Sequence, residues 1–406
     1  MNKLKIINDP IYGFVNIPDE LIFDIIQHPY FQRLRRISQM GLSYLVYPGA
    51  HHTRFHHAIG AMHLMQTAIH VLRFKDIEIT PEEEQAALIA ILLHDIGHGP
   101  FSHALEYSII KDISHEDLSL AIMHRLNEHF QGKLDLAIEI FTGKHPKKFL
   151  TELISSQIDV DRLDYLRRDS FYSGVIEGQV NSERLIKMLN VKDNQLVIDE
   201  KGIYSVEKFI ISRRLMYWQV YFHKTGLMIE KILEKILARA KSIKEQQLPV
   251  YLDENLAYLF EQNLAELNPK SIDIFTQIDD SDIIFHLKKW TKNPDFILSY
   301  LSNMIINRAH LNKIQIQNKA FEPELLTKMR NEILAKFPIN PTDINYLFFH
   351  GKLEHSAYNQ KKHPIKLLTK KGEVVEFAQA TDQNNITALS KPVTKYFISY
   401  PPIKKL

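Results

Sequence analysis

The segment HDIGHGPFSH, residues 94–103, decides how the chain is interpreted, because it directly follows the apolar run AALIAILL at residues 86–93. It places three histidines and one aspartate within ten positions. The glycines at 97 and 99 end the apolar helix and predict a helical corner with a second helix directly after it. A helix built for burial that ends in metal-capable side chains points to a metal site. The alternative is a polar helix end with a solvated loop.

The composition is that of a globular protein without thiol chemistry. The chain has 406 residues, 45% of them hydrophobic and 24% charged, which is enough for a large core and two or three domains, or for one domain with an appendage. Because there is no cysteine, any metal must be held by His, Asp, Glu or backbone oxygen. The net charge of +2 gives no argument for a nucleic-acid or anionic membrane partner.

The beginning of the chain, MNKLKIINDPIYGFVNIPDE, lacks the long apolar segment of a signal peptide. No uncharged stretch reaches the roughly 18 residues that are needed to span a bilayer. We therefore expect a cytoplasmic protein without a membrane partner.

The spacing of apolar residues predicts a mainly α fold. Thr80-Pro81-Glu82-Glu83 has the signature of a helix start, with an N-cap, proline at the first helical position and acids in the first turn. Further helices are predicted at residues 53–74, 115–130, 148–169, 182–190 and 204–243. A short strand-turn-strand, NQLVIDEKGIYS, precedes the last of these.

After about residue 245 the pattern changes to a smaller mixed α+β region. Helices are predicted at residues 252–266, 280–305 and 322–336, and they are followed by the β-like runs INYLFFHG, EVVEFAQ and KYFISY. The segment TDQNNITALSKP between the last two runs is the best loop candidate. We therefore divide the chain into a helical part at residues 1–245 and a C-terminal α+β region at residues 246–406.

Histidines are concentrated near the segment at 94–103. Five of the 20 histidines lie in HHTRFHHAIGAMH at residues 51–63. A divalent ion without thiolate ligands needs neutral imidazoles and carboxylates, with positions left open for water and substrate. His57, His94, Asp95 and Asp161 would provide such a set. Neighbouring residues on a helix diverge by about 100°, so His94 and Asp95 can share an ion because Gly97 ends the helix close to them.

A second pattern lies in IDVDRLDYLRRD, residues 158–169. If this segment is helical, Asp161, Tyr165 and Asp169 follow one another at i, i+4 and i+8 and form one stripe, with Arg162 beside it. One helix face would then carry metal, sugar and phosphate contacts in succession. Ordinary helix packing with surface ion pairs is the alternative for Tyr165 and Arg162.

The motifs INDPIYG, FQRLRRISQMG, RFHHAIG, HDIGHGPFSH, DVDRLDY and YFHKTG resemble, in this order, those of the HD-domain metallophosphohydrolases. They are similar in particular to the branch of deoxynucleoside triphosphate (dNTP) triphosphohydrolases. The likeness covers roughly residues 5–240, and the C-terminal third carries little of it. It implies an HD-domain helical core at residues 1–245, while residues 246–406 would complete the pocket and the oligomer.

The resemblance implies a metal-dependent hydrolysis of dNTPs to deoxynucleoside and inorganic triphosphate, by attack of metal-bound hydroxide on the α-phosphorus. The metal ligands would be His57, His94, Asp95 and Asp161. They would hold one divalent ion (Mn, Fe, Zn, Co or Ni), with Mg bound to the substrate phosphates. The catalytic histidines would be His98, His103 and His115, with His103 as the general acid and Glu106 orienting its ring.

The same resemblance implies a set of substrate contacts. Arg54, Arg162 and Arg213 would bind phosphates. Gln39 and Asp169 would hydrogen-bond the sugar 3′-hydroxyl, and Tyr165 with Tyr221 would crowd the place of a ribose 2′-hydroxyl. His51, His52 and His56 are expected at the rim of the pocket without a ligand role, and His63 is expected to be packed or at the surface of its helix.

The partners implied are the dNTP substrate, an activating nucleotide at a subunit interface and further copies of the chain in a dimer or tetramer. Residues that resemble the regulatory set are Asn8, Gln32, Arg35, Arg184 and Lys201. The human enzyme of this branch has other residues at the positions of Gln27, Asn181 and Asp199. These differences argue against activation by GTP of the human kind. Two other functions stay open: a nucleotide phosphatase or phosphodiesterase on the same metal site, and a nucleotide- or nucleic-acid-binding regulator.

Overall fold

The structure, a computed structural model, describes residues 5–101, 113–262, 267–360, 364–381 and 391–402. Within these ranges the protein is mainly helical, as the sequence predicts. The helices are α1 (Glu20–Gln27), α2 (Pro29–Gln32), α3 (Arg54–Phe74), α4 (Pro81–Leu93), α5 (His115–His129), α6 (Asp135–Phe141), α7 (Lys148–Ile154), α8 (Val160–Ser173), α9 (Ser182–Met188), α10 (Ile203–Met216), α11 (Lys224–Glu245), α12 (Glu254–Glu261), α13 (Pro269–Phe275), α14 (Asp280–Trp290), α15 (Phe296–Ile306), α16 (Pro323–Lys336), α17 (Ile344–Leu347) and α18 (Phe377–Ala380).

Three small sheets accompany the helices. Their strands are β1 (Lys5–Asp9), β2 (Gly13–Ile17), β3 (Leu189–Lys192), β4 (Gln195–Asp199), β5 (Lys313–Gln317), β6 (Phe349–His355), β7 (Lys366–Leu368), β8 (Val374–Glu376) and β9 (Val393–Tyr400). β1 and β2 form an antiparallel hairpin, and the other two sheets have the orders β3-β4-β7-β8 and β5-β9-β6. β4 runs parallel to β7, with Ile198 opposite Leu367, so the C-terminal region extends the hairpin of β3 and β4.

Helix α4 lies at the centre of the core, because its apolar residues cover every face of the helix. All eight residues from 86 to 93 are buried, as expected for a helix that is hydrophobic all round. The predicted start is confirmed by a capping box: Thr80 Oγ1 accepts from Glu83 N at 3.2 Å and Glu83 Oε2 accepts from Thr80 N at 2.8 Å. The helix ends at Leu93, which leaves His94 as its C-cap.

Helices α3 and α8 approach each other closely at Gly60. A Cβ at this position would lie 2.1 Å from Arg168 Nη2 and 2.2 Å from Asp164 Oδ1. Since real Cβ atoms do not come so near to other atoms, the glycine is needed for the two helices to pack at this distance. Residue 57 lies one helical turn before Gly60, so the same close approach brings α8 to His57.

Several predicted helices are interrupted. The helix expected at residues 204–243 consists of α10 and α11, joined by a π-helical turn at Tyr217–Tyr221. No proline or glycine marks this turn in the sequence, and π turns of this kind are frequent at functional sites. The helices expected at residues 148–169 and 280–305 are each divided into two as well. The loop candidate TDQNNITALSKP lies mostly outside the described residues.

The hydrophobic core continues across residue 245. Helix α11 packs on α15, and buried residues of both parts belong to one cluster. A second, small cluster contains Ile333, Ile344, Phe348 and Ile398. The functional division of the chain at this residue stays a prediction. None of the helices in the described ranges has the length and the apolarity required to cross a membrane.

Candidate metal centre and substrate pocket

The loop after α4 is fixed by the first turns of α5. Gly97 N donates to Ser119 Oγ at 2.9 Å, and Ser119 Oγ donates to the carbonyl oxygen of His94 at 2.8 Å. A Cβ at Gly97 would lie 2.2 Å from Ser119 N, so glycine is required for this contact. The helix end that carries His94 and Asp95 is therefore held in one position by a neighbouring helix.

Three of the four predicted metal ligands converge on one point. His57 on α3, His94 at the end of α4 and Asp161 on α8 each direct one ligand atom into a common group. His57 Nε2 lies 3.3 Å from His94 Nε2 and 3.1 Å from Asp161 Oδ1, and His94 Nε2 lies 3.4 Å from the same oxygen. These ligand atoms are close enough for a single ion to contact all three.

The outer nitrogens of both imidazoles are fixed by hydrogen bonds. His94 Nδ1 donates to the carbonyl oxygen of Ile91 at 2.6 Å, and His57 Nδ1 donates to Asp164 Oδ2 at 2.7 Å. In the neutral rings both Nε2 atoms are then acceptors. Two acceptor nitrogens 3.3 Å apart, facing a carboxylate oxygen, repel one another unless a cation lies among them. This arrangement fits a divalent metal ion, whose histidine ligands commonly donate their other nitrogen to a carboxylate or carbonyl.

The pKa values of His57 and Asp161 also show that this site favours positive charge. Burial disfavours a charge on His57, but the hydrogen bonds with Asp161 and Asp164 outweigh it and raise the pKa of His57 to about 10. Burial alone would raise the pKa of Asp161, yet its hydrogen bonds with His57 and His94 hold that pKa well below its usual range. The carboxylates of the site therefore favour positive charge at its centre.

The fourth predicted ligand, Asp95, lies at the edge of this group. Its Oδ1 is 3.4 Å from His94 Nε2 and 3.4 Å from His98 Nε2, and its Oδ2 is 3.8 Å from His57 Nε2. The same Oδ2 accepts a hydrogen bond from Arg54, which the sequence predicts to bind phosphates. Arg54 thus neutralises Asp95 in this structure.

The predicted catalytic histidines are described in part. The rings of His98 and His115 stack with their centroids 4.1 Å apart, so α5 supplies a second imidazole next to the one that faces Asp95. His103 and its predicted partner Glu106 lie outside the described residues.

A buried charge network supports His57 from behind. Arg168 donates from Nε and Nη2 to the two oxygens of Asp164, each at 2.9 Å, and from Nη1 to Asp9 Oδ2 at 2.8 Å. Sequence reasoning missed the role of Asp164. The available signal was its spacing, three residues after Asp161 and four before Arg168, which places it on the neighbouring stripe of α8.

The predicted stripe of α8 continues from the metal ligands to Asp169. Tyr165 lies beside His57 with the ring centroids 6.4 Å apart, and beside Tyr221 at 6.4 Å. Tyr221 Oη donates to Asp169 Oδ2 at 2.7 Å. Burial raises the pKa of Tyr221 well above its ordinary value, so the hydroxyl stays protonated and remains a donor.

His52 is a second residue whose role sequence reasoning missed. It was expected at the rim of the pocket, but it is 1% exposed and its Nε2 lies 2.7 Å from Asp169 Oδ1. Its ring stacks on Tyr172 at 4.4 Å. The neighbouring His51 is exposed and stacks on Tyr44. Of these two adjacent histidines, only His52 contacts Asp169.

The other predicted sugar and rim residues have varied surroundings. Gln39 donates its backbone N–H to the carbonyl of His52 at 3.0 Å, and its buried Oε1 has no hydrogen-bond partner among the described residues. His56 Nδ1 accepts from Thr53 N at 3.1 Å and so caps α3. His63 packs against Tyr12 at 5.2 Å, in agreement with its expected packing role.

The predicted phosphate-binding arginines differ in their contacts. Arg162 is bound to the carboxylate of Asp159 and to the carbonyl of Ser156. Arg213 Nη1 lies 3.3 Å from Gln157 Oε1 and 3.4 Å from the carbonyl oxygen of Ala357, which follows β6. The C-terminal region therefore reaches the wall of the pocket.

Comparison with known proteins agrees with this geometry. The HD domain model matches residues 54–169, and the model of an HD associated region matches residues 180–280. The chain is 32% identical over 394 residues to the uncharacterized protein YwfO of Bacillus subtilis. The aligned region makes up 93% of this chain and 88% of that protein. The chain belongs to the HD-domain phosphohydrolases. HD domains bind divalent metals, and the group of His57, His94 and Asp161 fits such a site.

Two further proteins that resemble this HD phosphohydrolase carry the name of an enzyme. The crystal structure of a phosphohydrolase from Bacteroides thetaiotaomicron superposes with a TM-score of 0.94 at 45% identity, over 98% of this chain and 100% of that chain. A deoxynucleoside triphosphate triphosphohydrolase SAMHD1 homolog of Dictyostelium discoideum is 36% identical over 255 residues, which are 58% of this chain and 49% of that enzyme. This HD phosphohydrolase thus spans about half the length of that relative.

Proposed function

We propose that this HD phosphohydrolase hydrolyses dNTPs to deoxynucleoside and inorganic triphosphate, with one divalent ion held by His57, His94, Asp95 and Asp161. The observation that carries the proposal is the continuity of one face of α8. It leads from Asp161 in the metal group, past Tyr165 beside His57, to Asp169 with its hydrogen bond from Tyr221. The relatives named as dNTP triphosphohydrolases support the same choice.

A divalent ion in this group supplies Lewis acidity, which lowers the pKa of water and neutralises charge on a phosphate chain. The side chains of the site contribute position and charge. Arg54 neutralises Asp95 now, and its guanidinium is close enough to the metal group to turn to a phosphate oxygen of the substrate. His98 and His115 form a stacked pair beside Asp95. The proton for the leaving 5′ oxygen is assigned to His103.

The sugar would be recognised at Asp169. Its two oxygens accept from His52 and Tyr221, and each oxygen has a further lone pair for a 3′-hydroxyl. The rings of Tyr165 and Tyr221 stand side by side next to this carboxylate. A 2′-hydroxyl that is buried there without room or a partner costs about 1–3 kcal/mol, so a deoxyribose is preferred.

The test is a product analysis of the pure protein. Each dNTP is incubated alone and in mixtures, with Mn²⁺ or Mg²⁺, and the products are identified by mass. Inorganic tripolyphosphate together with a deoxynucleoside supports the proposal. Release of orthophosphate instead supports a nucleotide phosphatase on the same metal site. Nucleotide binding without turnover under every ion and every mixture supports a regulator.

The mixtures also test an activating nucleotide between subunits, which we propose together with a homo-oligomeric state. Among the candidate positions, Arg184 Nε donates to Ser205 Oγ at 3.1 Å, and Asp199 is held by Lys75 Nζ at 2.9 Å. Asp199 is negatively charged, as the phosphates of an activator are, so those phosphates would have to be bound by other residues. Hydrolysis of one dNTP that depends on a second nucleotide, with a change of oligomer size in light scattering, supports activation.

A further inference from the structure

Arg213 and His355, at the end of the pocket away from the metal group, have no anionic partner among the residues that the structure describes. Arg213 contacts the neutral oxygens of Gln157 and Ala357, and its buried Nε has no hydrogen-bond partner in the described ranges. Among the residues that the structure describes, the hydrogen bonds of this guanidinium go to neutral oxygens and to no carboxylate. Arg162, by contrast, is paired with Asp159. Arg213 therefore carries positive charge that the fold does not neutralise.

His355, the last residue of β6, lies beside this arginine. It is 9% exposed, and its Nε2 is buried without a hydrogen-bond partner among the described residues. Its ring stacks on Tyr217 with the centroids 3.6 Å apart and the planes 14° apart. Burial and the guanidiniums of Arg213 and Arg214 lower the pKa of His355 to about 4, so the ring is neutral and carries one N–H donor. A buried donor or acceptor that stays unpaired is unfavourable, which is why such groups usually meet a ligand or water.

The surroundings of His355 select an anion as the ligand. An unpaired guanidinium with an N–H donor beside it is suited to oxygens of a phosphate. The position is also connected to the metal group through a row of rings. Centroid distances along this row are 5.1 Å from Tyr217 to Tyr221, 6.4 Å from Tyr221 to Tyr165 and 6.4 Å from Tyr165 to His57. Because the sugar would lie against Tyr165 and Tyr221, the phosphate chain would run alongside this row, on the side of Arg162 and Arg213, whose charges both act on Tyr165.

We infer that His355 is a substrate-binding residue of the C-terminal region, which donates a hydrogen bond to the terminal phosphates of the bound triphosphate next to Arg213. This inference rests on the proposed function and deepens it. Through His355 the pocket distinguishes a triphosphate from shorter phosphate chains. The strand β6 thereby contributes directly to recognition of the substrate.

The test uses inorganic tripolyphosphate as the probe and isothermal titration calorimetry as the measurement, with the full-length protein carrying its own metal. His355→Phe retains a ring that stacks on Tyr217 but removes the donor. His355→Gln retains a polar group that can donate. His350→Ala is the matched control, because His350 is exposed on the same strand.

We expect His355→Phe to weaken the affinity for tripolyphosphate by about tenfold or more, the loss expected for a hydrogen bond to a charged group. His355→Gln should lose less, and His350→Ala should bind like the wild type. The KM for a dNTP should rise in parallel with little change in kcat. If His355→Phe does not give a folded protein by circular dichroism, His355→Leu, which also removes the donor, takes its place in the comparison with wild type.

Equal affinities of wild type and a folded variant without the donor would overturn the inference. So would a wild-type protein that does not bind tripolyphosphate below about 1 mM, the upper end of the KM values of typical enzymes. These results are distinguishable from a failure of the proposed function. If dNTPs yield tripolyphosphate while substitution of His355 leaves the affinity for tripolyphosphate unchanged, the function stands and the inference falls. If orthophosphate is the product while tripolyphosphate binding depends on His355, the anion site stands and the function falls.

Discussion

The pocket has a metal end, formed by His57, His94 and Asp161, and a proposed phosphate end, formed by Arg213 and His355. The two ends are built in different ways. At the metal end, His57 and His94 are each fixed through Nδ1, which donates a hydrogen bond to Asp164 in the first case and to the carbonyl of Ile91 in the second. At the phosphate end, Arg213 lacks a carboxylate partner and His355 Nε2 lacks any partner among the described residues. The first set is fixed without a ligand, whereas the second keeps buried polar groups without a partner among the described residues.

The origin of the two ends in the chain differs too. The metal group comes from residues 57–161, within the matched HD domain. The proposed phosphate end combines the π turn after α10, at Tyr217–Tyr221, with β6, which begins only at Phe349. Preorganised ligands favour tight ion binding, whereas groups that must be ordered by their ligand bind it less tightly.

Loss of a metal ligand is expected to have the largest effect. Asp161→Ala removes the carboxylate that both imidazoles face, so turnover of dNTPs should fall by about a thousandfold or more because the ion is no longer held and balanced. The measurement is dNTP hydrolysis together with metal content, and circular dichroism should show an unchanged fold. The exposed Glu177→Ala, just after α8, is the control. Full activity of Asp161→Ala would refute the ligand assignment.

The support of His57 should be second in size. Asp164→Asn weakens the acceptor for His57 Nδ1, and the metal affinity should fall by about 10- to 100-fold. Added Mn²⁺ should restore activity, in contrast to Asp161→Ala. The thermal midpoint should fall as well, because Arg168 loses one of its two carboxylates. A metal titration of the folded variant that coincides with wild type would show that Asp164 does not support the ligand.

Adjacent histidines test the sugar contact. His52→Ala removes the bond to Asp169, and we expect the KM for dNTPs to rise by about tenfold, since a hydrogen bond to a charged group is lost. The metal content should stay the same. His51→Ala is the control, because His51 is exposed and stacks on Tyr44. Similar kinetics of the two variants would remove Asp169 and His52 from the recognition of the sugar.

The start of α4 should affect stability and leave the chemistry unchanged. Thr80→Ala removes the N-cap, and the free energy of unfolding should fall by about 1 kcal/mol. Urea titration measures this loss, and Thr80→Ser is the control, because it keeps the capping hydroxyl. A clear fall in the kcat of Thr80→Ala under conditions in which the variant is fully folded would contradict the expectation that this cap affects stability alone.

The smallest effect expected is a pH dependence at Glu83. Burial disfavours its charge, but Lys147 and the N–H of Thr80 outweigh it and lower the pKa of Glu83. A depressed pKa in the folded state contributes stability above the ordinary pKa of about 4.5, which is lost as the pH falls through the folded value. Wild type should therefore exceed Glu83→Gln in stability at pH 7 by less than about 1 kcal/mol, and the difference should shrink at pH 3. A constant difference would exclude this carboxylate as its source.

Local signals in the sequence predicted much of the helical framework. The capping box at Thr80, the all-apolar run of α4 and the stripe of α8 depend on neighbours within four residues, and all three are present in the structure. The π turn at Tyr217–Tyr221 has no such signal. It occurs where the chain must direct both Tyr217 and Tyr221 toward groups from other helices and strands.

The amino-acid sequence by itself determined the helical class, the position of α4 and the set of side chains able to hold an ion, because these depend on residue type and short spacing. Only the tertiary structure decided that Asp164 supports His57, that His52 rather than His51 reaches Asp169, and that His355 stacks on Tyr217. These contacts join residues more than 100 positions apart. Their geometry follows from the packing of whole helices and strands, which no local pattern encodes.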